Sequence, residues 1–136
     1  MAHDRPKAVA IVGAFLFAAT GIAFVVGLTL LFPNPAMDFM WKVNPAAYPA
    51  FRAMGRVAGV PLIALGVGTL AAGVDLLRRK KWAWWFAMIL FAINGCGDVV
   101  GLVVMRDVLR SGSGVLIASA FLWALGRGRV RRYFSV

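Results

Sequence analysis

Asp98 and Asn94 are the residues whose type and position point most directly to chemistry, because both lie inside a long apolar stretch. Asp98 comes seven residues before Met105, where that stretch ends. A helix would therefore hold its carboxyl group roughly 10 Å inside the membrane boundary. A carboxylate at such depth is unfavourable unless it is paired, hydrated or protonated. Asn94 shares the same helical face one turn away, so the two residues together are candidates for binding a proton or a cation.

Three arginines near the same boundary are alternative partners for Asp98, namely Arg56, Arg106 and Arg110. An ion pair with one of them would give Asp98 a structural role, fixing the packing of the helices. Two other acids have spacings typical of structural contacts. Asp75 precedes Arg79 by four residues, the spacing of a helical ion pair, and Asp107 is placed to cap the last helix and to pair with Arg110.

The sequence offers no set of residues for nucleophilic catalysis or metal binding. Cys96 is the one cysteine, with no partner for a disulfide and no base close by in the sequence, which predicts a small apolar filler. His3 is the one histidine and lies in the N-terminal tail, so we expect no haem or metal ligand within the membrane. We therefore expect no catalytic residue, no metal and no cofactor.

The elements that must position these residues are long apolar segments. The 136 residues are 62% hydrophobic and 15% charged, which excludes an ordinary soluble domain, a disordered chain and a disulfide-stapled module. Since about 20 apolar residues cross a membrane, we expect a single all-α domain, an integral membrane four-helix bundle over residues 1–136. The predicted spans are residues 8–32, 57–77, 82–105 and 108–126, and the predicted outer loop is 33–56. Within this loop, residues 37–41 are predicted to form a short helix that lies on the outer surface or caps the bundle.

The distribution of lysine and arginine predicts that both termini face the cytoplasm. With the N-terminus inside, the inner segments carry 10 of the 15 basic residues and the outer loops carry 5. The net charge of +10 is thus accounted for by topology, and we expect no nucleic-acid partner.

A run of cations next to an aromatic residue follows the second span. Its residues are Arg78, Arg79, Lys80, Lys81 and Trp82. Such a segment is typical of contact with anionic lipids of the inner leaflet, although it would serve equally as a topology anchor. The basic tail at 127–134 allows the same two interpretations.

Glycines recur at helical spacing on one face of each of the first three spans. The predicted packing residues are Gly13, Gly27, Gly55, Gly59, Gly66, Gly73, Gly97 and Gly101, with Thr20 and Thr69 in the same stripes. Small residues let membrane helices approach closely. The pattern does not distinguish packing within one chain from packing in a homo-oligomer or a larger membrane complex.

Four short motifs can be compared with known proteins. They are Met40-Trp41-x-x-Asn44-Pro45, Ala92-Ile93-Asn94-Gly95-x-Gly97-Asp98, Arg106-Asp107 before Gly112-x-Gly114-Val115, and Arg129-Val130-Arg131-x-Tyr133-Phe134. In type and order they resemble a group of small bacterial four-span membrane proteins of unknown function. The resemblance implies a multi-pass protein of the bacterial inner membrane and supplies no activity. In size the chain is also similar to small multidrug-resistance transporters, but its first span lacks their membrane-embedded glutamate.

Three functions are consistent with these observations. The first is a non-enzymatic accessory or scaffolding subunit, or a self-associating bundle, because packing surface is abundant and chemistry is sparse. The second is a small cation- or proton-coupled transporter or channel that uses Asp98 and Asn94. The third is a membrane enzyme acting on a lipid.

Overall fold

A computed structural model describes residues 4–42, 45, 47–106 and 108–136. The predictions made for His3 and Asp107 lie outside these residues. In the described part of the chain every regular element is helical, so the all-α prediction is confirmed.

Helices follow one another along the chain with short connections. They are α1 (Lys7–Leu31), a 3₁₀-helix (Pro35–Lys42), α2 (Ala47–Met54), α3 (Arg56–Leu77), α4 (Lys81–Val100), a π-helical turn that continues α4 (Gly101–Met105), α5 (Val108–Gly126) and α6 (Gly128–Phe134). Four of them are long and apolar enough to cross a membrane: α1, α3, α4 with its continuation, and α5. Their bounds differ from the predicted spans by at most one residue, as expected of a multi-pass membrane protein.

The chain divides into two compact units. The loop unit is Phe15–Ala71, which contains most of α1, the 3₁₀-helix, α2 and the first part of α3. The hairpin unit contains Ala72–Val136 with the described residues up to Ala14. Both α1 and α3 contribute residues to each unit.

Within the loop unit, α1 and α3 run antiparallel with their backbones close together. A β-carbon added to Gly59 would lie 3.1 Å from the carbonyl oxygen of Gly27 and 2.9 Å from the Leu31 side chain. The Oγ1 atoms of Thr20 and Thr69 are 2.9 Å apart and share a hydrogen bond between the helices. This close approach is what the small residues of the two stripes allow.

The connection between α1 and α3 is folded into two short helices. The side chain of Asn34 accepts a hydrogen bond of 3.0 Å from the backbone N–H of Ala36, as the 3₁₀-helix begins. Gly55 separates α2 from α3 with a φ of 53°, a left-handed conformation that glycine adopts without steric strain. A short helix is present over the predicted residues 37–41, and its hydrogen bonding is 3₁₀.

Within the hairpin unit, α4 and α5 form an antiparallel pair that is joined by contacts along its length. The indole N–H of Trp84 donates a 3.1 Å hydrogen bond to the carbonyl oxygen of Leu125. The rings of Phe91 and Phe121 are 4.8 Å apart. Arg106, with a φ of 54°, lies in the connection before α5. These contacts fix which residues of α5 lie opposite Asp98.

Candidate functional site

The carboxyl group of Asp98 lies against the backbone of Gly114, across the contact between α4 and α5. A β-carbon placed on Gly114 would overlap this carboxyl group, since its Oδ1 atom would be only 2.8 Å away. Asp98 is half-buried there. Any larger residue at position 114 would have to displace the carboxyl group, so Gly114 provides the space in which the Asp98 carboxyl group packs against α5.

Asn94 is exposed on the surface of α4. Its Nδ2 donates a 2.9 Å hydrogen bond to the carbonyl oxygen of Leu90, one turn earlier in the same helix. In the described part of the chain, no hydrogen bond joins the Asn94 amide to the Asp98 carboxyl group. Asn94 and Asp98 therefore lie in adjacent turns of α4 without a hydrogen bond between their side chains.

Three arginines were predicted as alternative partners of Asp98. Arg56 is the first residue of α3 and belongs to the loop unit. Arg106 is exposed in the connection before α5, and Arg110 is exposed in the first turn of α5. The carboxyl group of Asp98 lies against Gly114, within the same unit.

One end of the hairpin unit is strongly basic. Arg78, Arg79, Lys80, Lys81 and Trp82, the predicted lipid-contact residues, are all exposed around the start of α4. The short helix α6 has buried apolar residues on one face, including Tyr133 and Phe134. Its arginines are exposed, namely Arg129, Arg131 and Arg132.

Arg79 connects the two basic segments. Its Nε donates a 3.2 Å hydrogen bond to the carbonyl oxygen of Tyr133. Its guanidinium carbon lies 4.5 Å from the centroid of the Tyr133 ring, which is a cation–π contact. These contacts hold α6 beside the connection between α3 and α4. The exposed cations around the start of α4 and those of α6 therefore lie at the same end of the hairpin unit.

The predicted ion pair between Asp75 and Arg79 is replaced by other contacts. The prediction assumed a helix that continues through Arg79, whereas α3 ends at Leu77 and Arg79 has a left-handed φ of 62°. Asp75 instead accepts a 2.9 Å hydrogen bond from the indole N–H of Trp82. Trp82 is therefore tied to the end of α3.

Most of the predicted packing glycines contact a neighbouring helix within their own unit. A β-carbon on Gly13 would be 3.1 Å from Leu77, one on Gly27 would be 2.8 Å from Ile63, one on Gly66 would be 3.3 Å from Phe24, and one on Gly101 would be 2.6 Å from Ser111. Gly55 forms a turn, and Gly73 is buried. Gly97 differs, because a β-carbon there would have no atom within 4 Å.

A cavity of about 490 Å³ in the loop unit was missed by the sequence-based interpretation. Its lining includes Asp38, Trp41, Tyr48 and Arg52, which come from the 3₁₀-helix and α2. The sequence feature that could have indicated this site is the presence of an acid, a base and two aromatic residues within the predicted outer loop. It was not recognised because only the folded connection brings these side chains to one cavity.

No protein-family model matches the chain, and no curated protein or solved structure is significantly similar to it. The class of protein therefore follows from the fold alone. Its four long apolar helices define an all-α, multi-pass membrane protein.

Proposed function

We propose that this is a non-enzymatic protein of the bacterial inner membrane that self-associates through the exposed face of α4, with both termini in the cytoplasm. The observation that carries the proposal is the exposed amide of Asn94, near the middle of the span Lys81–Val104. A polar group in contact with hydrocarbon is unfavourable, so membrane proteins place such groups at interfaces between helices.

An amide is self-complementary, because it has both donors and an acceptor. One N–H of Asn94 is used by Leu90 in its own helix, which leaves a second N–H and the carbonyl oxygen. A second copy of the chain, related by two-fold symmetry, would present the same two groups. A homodimer is therefore the simplest arrangement that satisfies the Asn94 side chain within the bilayer.

The surroundings of Asn94 favour a helix as the partner. Gly97 lies one turn along the same face, with open space where a β-carbon would be, so a second backbone could approach closely there. Only 11% of the α4 span is buried within the chain, compared with 33% of the α1 span. Thus α4 has the larger free surface. The glycines of α1 and α3 described above already pack within the chain.

Cysteine cross-linking in native-like membranes tests this dimer. In a Cys96→Ala background, Gly97→Cys is expected to form a disulfide-linked dimer under mild oxidation, because a disulfide requires Cα atoms about 4.4–6.8 Å apart. Cys96 is the matched control. It lies on the opposite side of α4 from Asn94, about 200° away at 100° per residue, and should cross-link poorly in the unmodified chain.

The contribution of the amide is measured with Asn94→Leu. Hydrogen bonds between membrane helices contribute about 1–2 kcal/mol in model peptides, so the dimer should dissociate roughly 5–30 times more readily in lipid vesicles. Ser119→Leu, at an exposed polar position of α5, serves as the control. A wild-type chain that stays monomeric at high density in lipid, or an Asn94→Leu variant that dimerises like wild type, would contradict the proposal.

A second function is favoured by the half-buried carboxyl group of Asp98, which is one turn from the proposed interface. In a dimer two such groups would lie near each other, as in a small cation- or proton-coupled transporter or channel. Flux in proteoliposomes that is abolished by Asp98→Asn and retained in Asp75→Asn would support this function. Absence of cation or proton flux from wild-type vesicles would exclude it.

We also infer that the basic end of the hairpin unit binds anionic lipids of the inner leaflet. Near a membrane surface each cation contributes about 1 kcal/mol to such binding. Replacing Arg129, Arg131 and Arg132 together by glutamine should therefore weaken binding to phosphatidylglycerol vesicles, while the same change at Lys42 and Arg56 should not. Equal binding by both variants would argue that the cations only fix topology.

A further inference from the structure

We propose that the cavity of the loop unit binds a phosphoethanolamine group, the zwitterionic head group of phosphatidylethanolamine. The cavity has a volume of about 490 Å³, within the range of about 300–1,000 Å³ that is usual for small-molecule sites. One acid, one base and two aromatic rings line it. A ligand that carries both a phosphate and an ammonium group matches this set of side chains.

Arg52 is suited to the phosphate. Its guanidinium group donates a hydrogen bond to the hydroxyl oxygen of Tyr48, and its central carbon lies 5.4 Å from the centroid of the Tyr48 ring. These contacts restrict the side chain in advance of binding. A guanidinium has five N–H donors in one plane, so donors are left for the two oxygens of a phosphate.

Asp38 and Trp41 are suited to the ammonium group. Trp41 is held between two neighbours, with its ring centroid 5.1 Å from that of Tyr48 and 6.0 Å from that of Phe51. The exposed carboxylate of Asp38 lines the same cavity. A primary ammonium group can donate hydrogen bonds to a carboxylate and also lie over an indole ring, whereas a quaternary choline has no N–H to donate.

The position of the cavity favours a lipid as the source of this group. Thr29 and Leu30, near the end of α1, form part of its lining, and so does Gly55, immediately before α3. The cavity therefore opens where two predicted spans end, which is the level of the lipid head groups. A bound head group would leave its acyl chains beside the apolar helices. Free phosphoethanolamine has the same polar chemistry, so the experiment must separate the two.

Native mass spectrometry of the purified full-length protein, titrated with single lipids, is the direct test. Phosphatidylethanolamine should bind about tenfold more tightly than phosphatidylcholine or phosphatidylglycerol, since neither of those has an ammonium N–H to donate to the Asp38 carboxylate. Isothermal titration with soluble phosphoethanolamine identifies the source. Lipid binding without soluble binding indicates the membrane lipid, whereas soluble binding without lipid preference indicates the free compound. Both results support a phosphoethanolamine site.

Two variants with matched controls locate the site. Asp38→Asn and Arg52→Gln should each weaken binding by about tenfold, whereas Asp4→Asn and Arg56→Gln should leave it unchanged. Thermal unfolding of all four variants verifies that they fold. Equal affinity for the three lipids together with no binding of soluble phosphoethanolamine would overturn the proposal. So would wild-type affinity in both site variants. Asn94→Leu should not alter this binding, which keeps the result independent of the proposed dimer.

Discussion

The contact between Asp98 and Gly114 shows how a single glycine determines the position of a carboxyl group. The Asp98 carboxyl group occupies the space where a side chain at position 114 would begin. From the sequence, Asp98 was recognisable because an acid is rare inside an apolar span. Its neighbour Gly114 was not predictable, because the sequence does not show which residues of two helices joined by a turn lie opposite each other.

Gly114→Ala is expected to destabilise the protein by about 1–3 kcal/mol, because the new methyl group would overlap the Asp98 carboxyl group. Thermal unfolding in detergent would measure this as a lowered midpoint. Gly112→Ala is the matched control, since a β-carbon at Gly112 has no atom within 4 Å. If both alanine variants unfold at the same temperature, the Asp98–Gly114 contact is not present in the folded protein.

The hydrogen bond between Thr20 and Thr69 gives a second prediction at the scale of single residues. Thr69→Val keeps the shape of the side chain and removes the hydroxyl, so it should lower the free energy of unfolding by about 0.6 kcal/mol and at most about 1.7 kcal/mol. The control is Thr29→Val, because Thr29 donates to the carbonyl oxygen of Val26 in its own helix. Denaturant unfolding of Thr69→Val and Thr29→Val in detergent micelles would compare their free energies of unfolding. A larger loss in Thr29→Val would contradict the assignment.

At the scale of helices, the sequence predicts the long elements well and their contacts poorly. The spans were predictable to within one residue because the length and apolarity of a membrane helix are fixed by the bilayer. Of the two short helices in the connection, α2 was the harder to predict, because Pro49 lies within its first turn, where proline is tolerated. The cavity depends on these short helices, so it could not be predicted either.

The antiparallel packing of α1 on α3 leads to a prediction at this scale. Gly59→Ala should separate the two helices slightly, because the carbonyl oxygen of Gly27 would lie only 3.1 Å from the added carbon, and should lower stability by about 1–3 kcal/mol. Gly21→Ala, where a β-carbon meets nothing within 4 Å, should be neutral. The midpoints of thermal unfolding of Gly59→Ala and Gly21→Ala would measure this difference in stability. Equal stability of the two variants would show that α1 and α3 are not in backbone contact.

At the scale of the whole molecule, charge distribution is the feature that relates the chain to its membrane. The exposed cations of the hairpin unit are concentrated around the start of α4 and on α6, and Arg79 connects these segments through Tyr133. Lysine and arginine near the ends of spans set the orientation of a membrane protein. We therefore expect this end of the hairpin unit on the cytoplasmic side.

Labelling of single cysteines would test this orientation. In a Cys96→Ala background, Ser135→Cys should react with an impermeant maleimide only after the inner face of the membrane is opened, whereas Asn34→Cys should react from the outside. Both positions are exposed, so access to the reagent depends on the side of the membrane. Reaction of Ser135→Cys in intact cells would reverse the proposed topology.

The close approach of the α1 and α3 backbones at Gly27 and Gly59 also limits where water or ions could pass through the protein. A β-carbon on Gly59 would lie 3.1 Å from the carbonyl oxygen of Gly27, and one on Gly27 would lie 3.2 Å from the carbonyl oxygen of Gly59. This spacing leaves no room for a column of water molecules between α1 and α3 beside these two glycines. This seam is dry. In the transporter or channel hypothesis, we therefore expect the conduction route to follow the polar side of α4, with Asn94 and Asp98, and not the contact between α1 and α3.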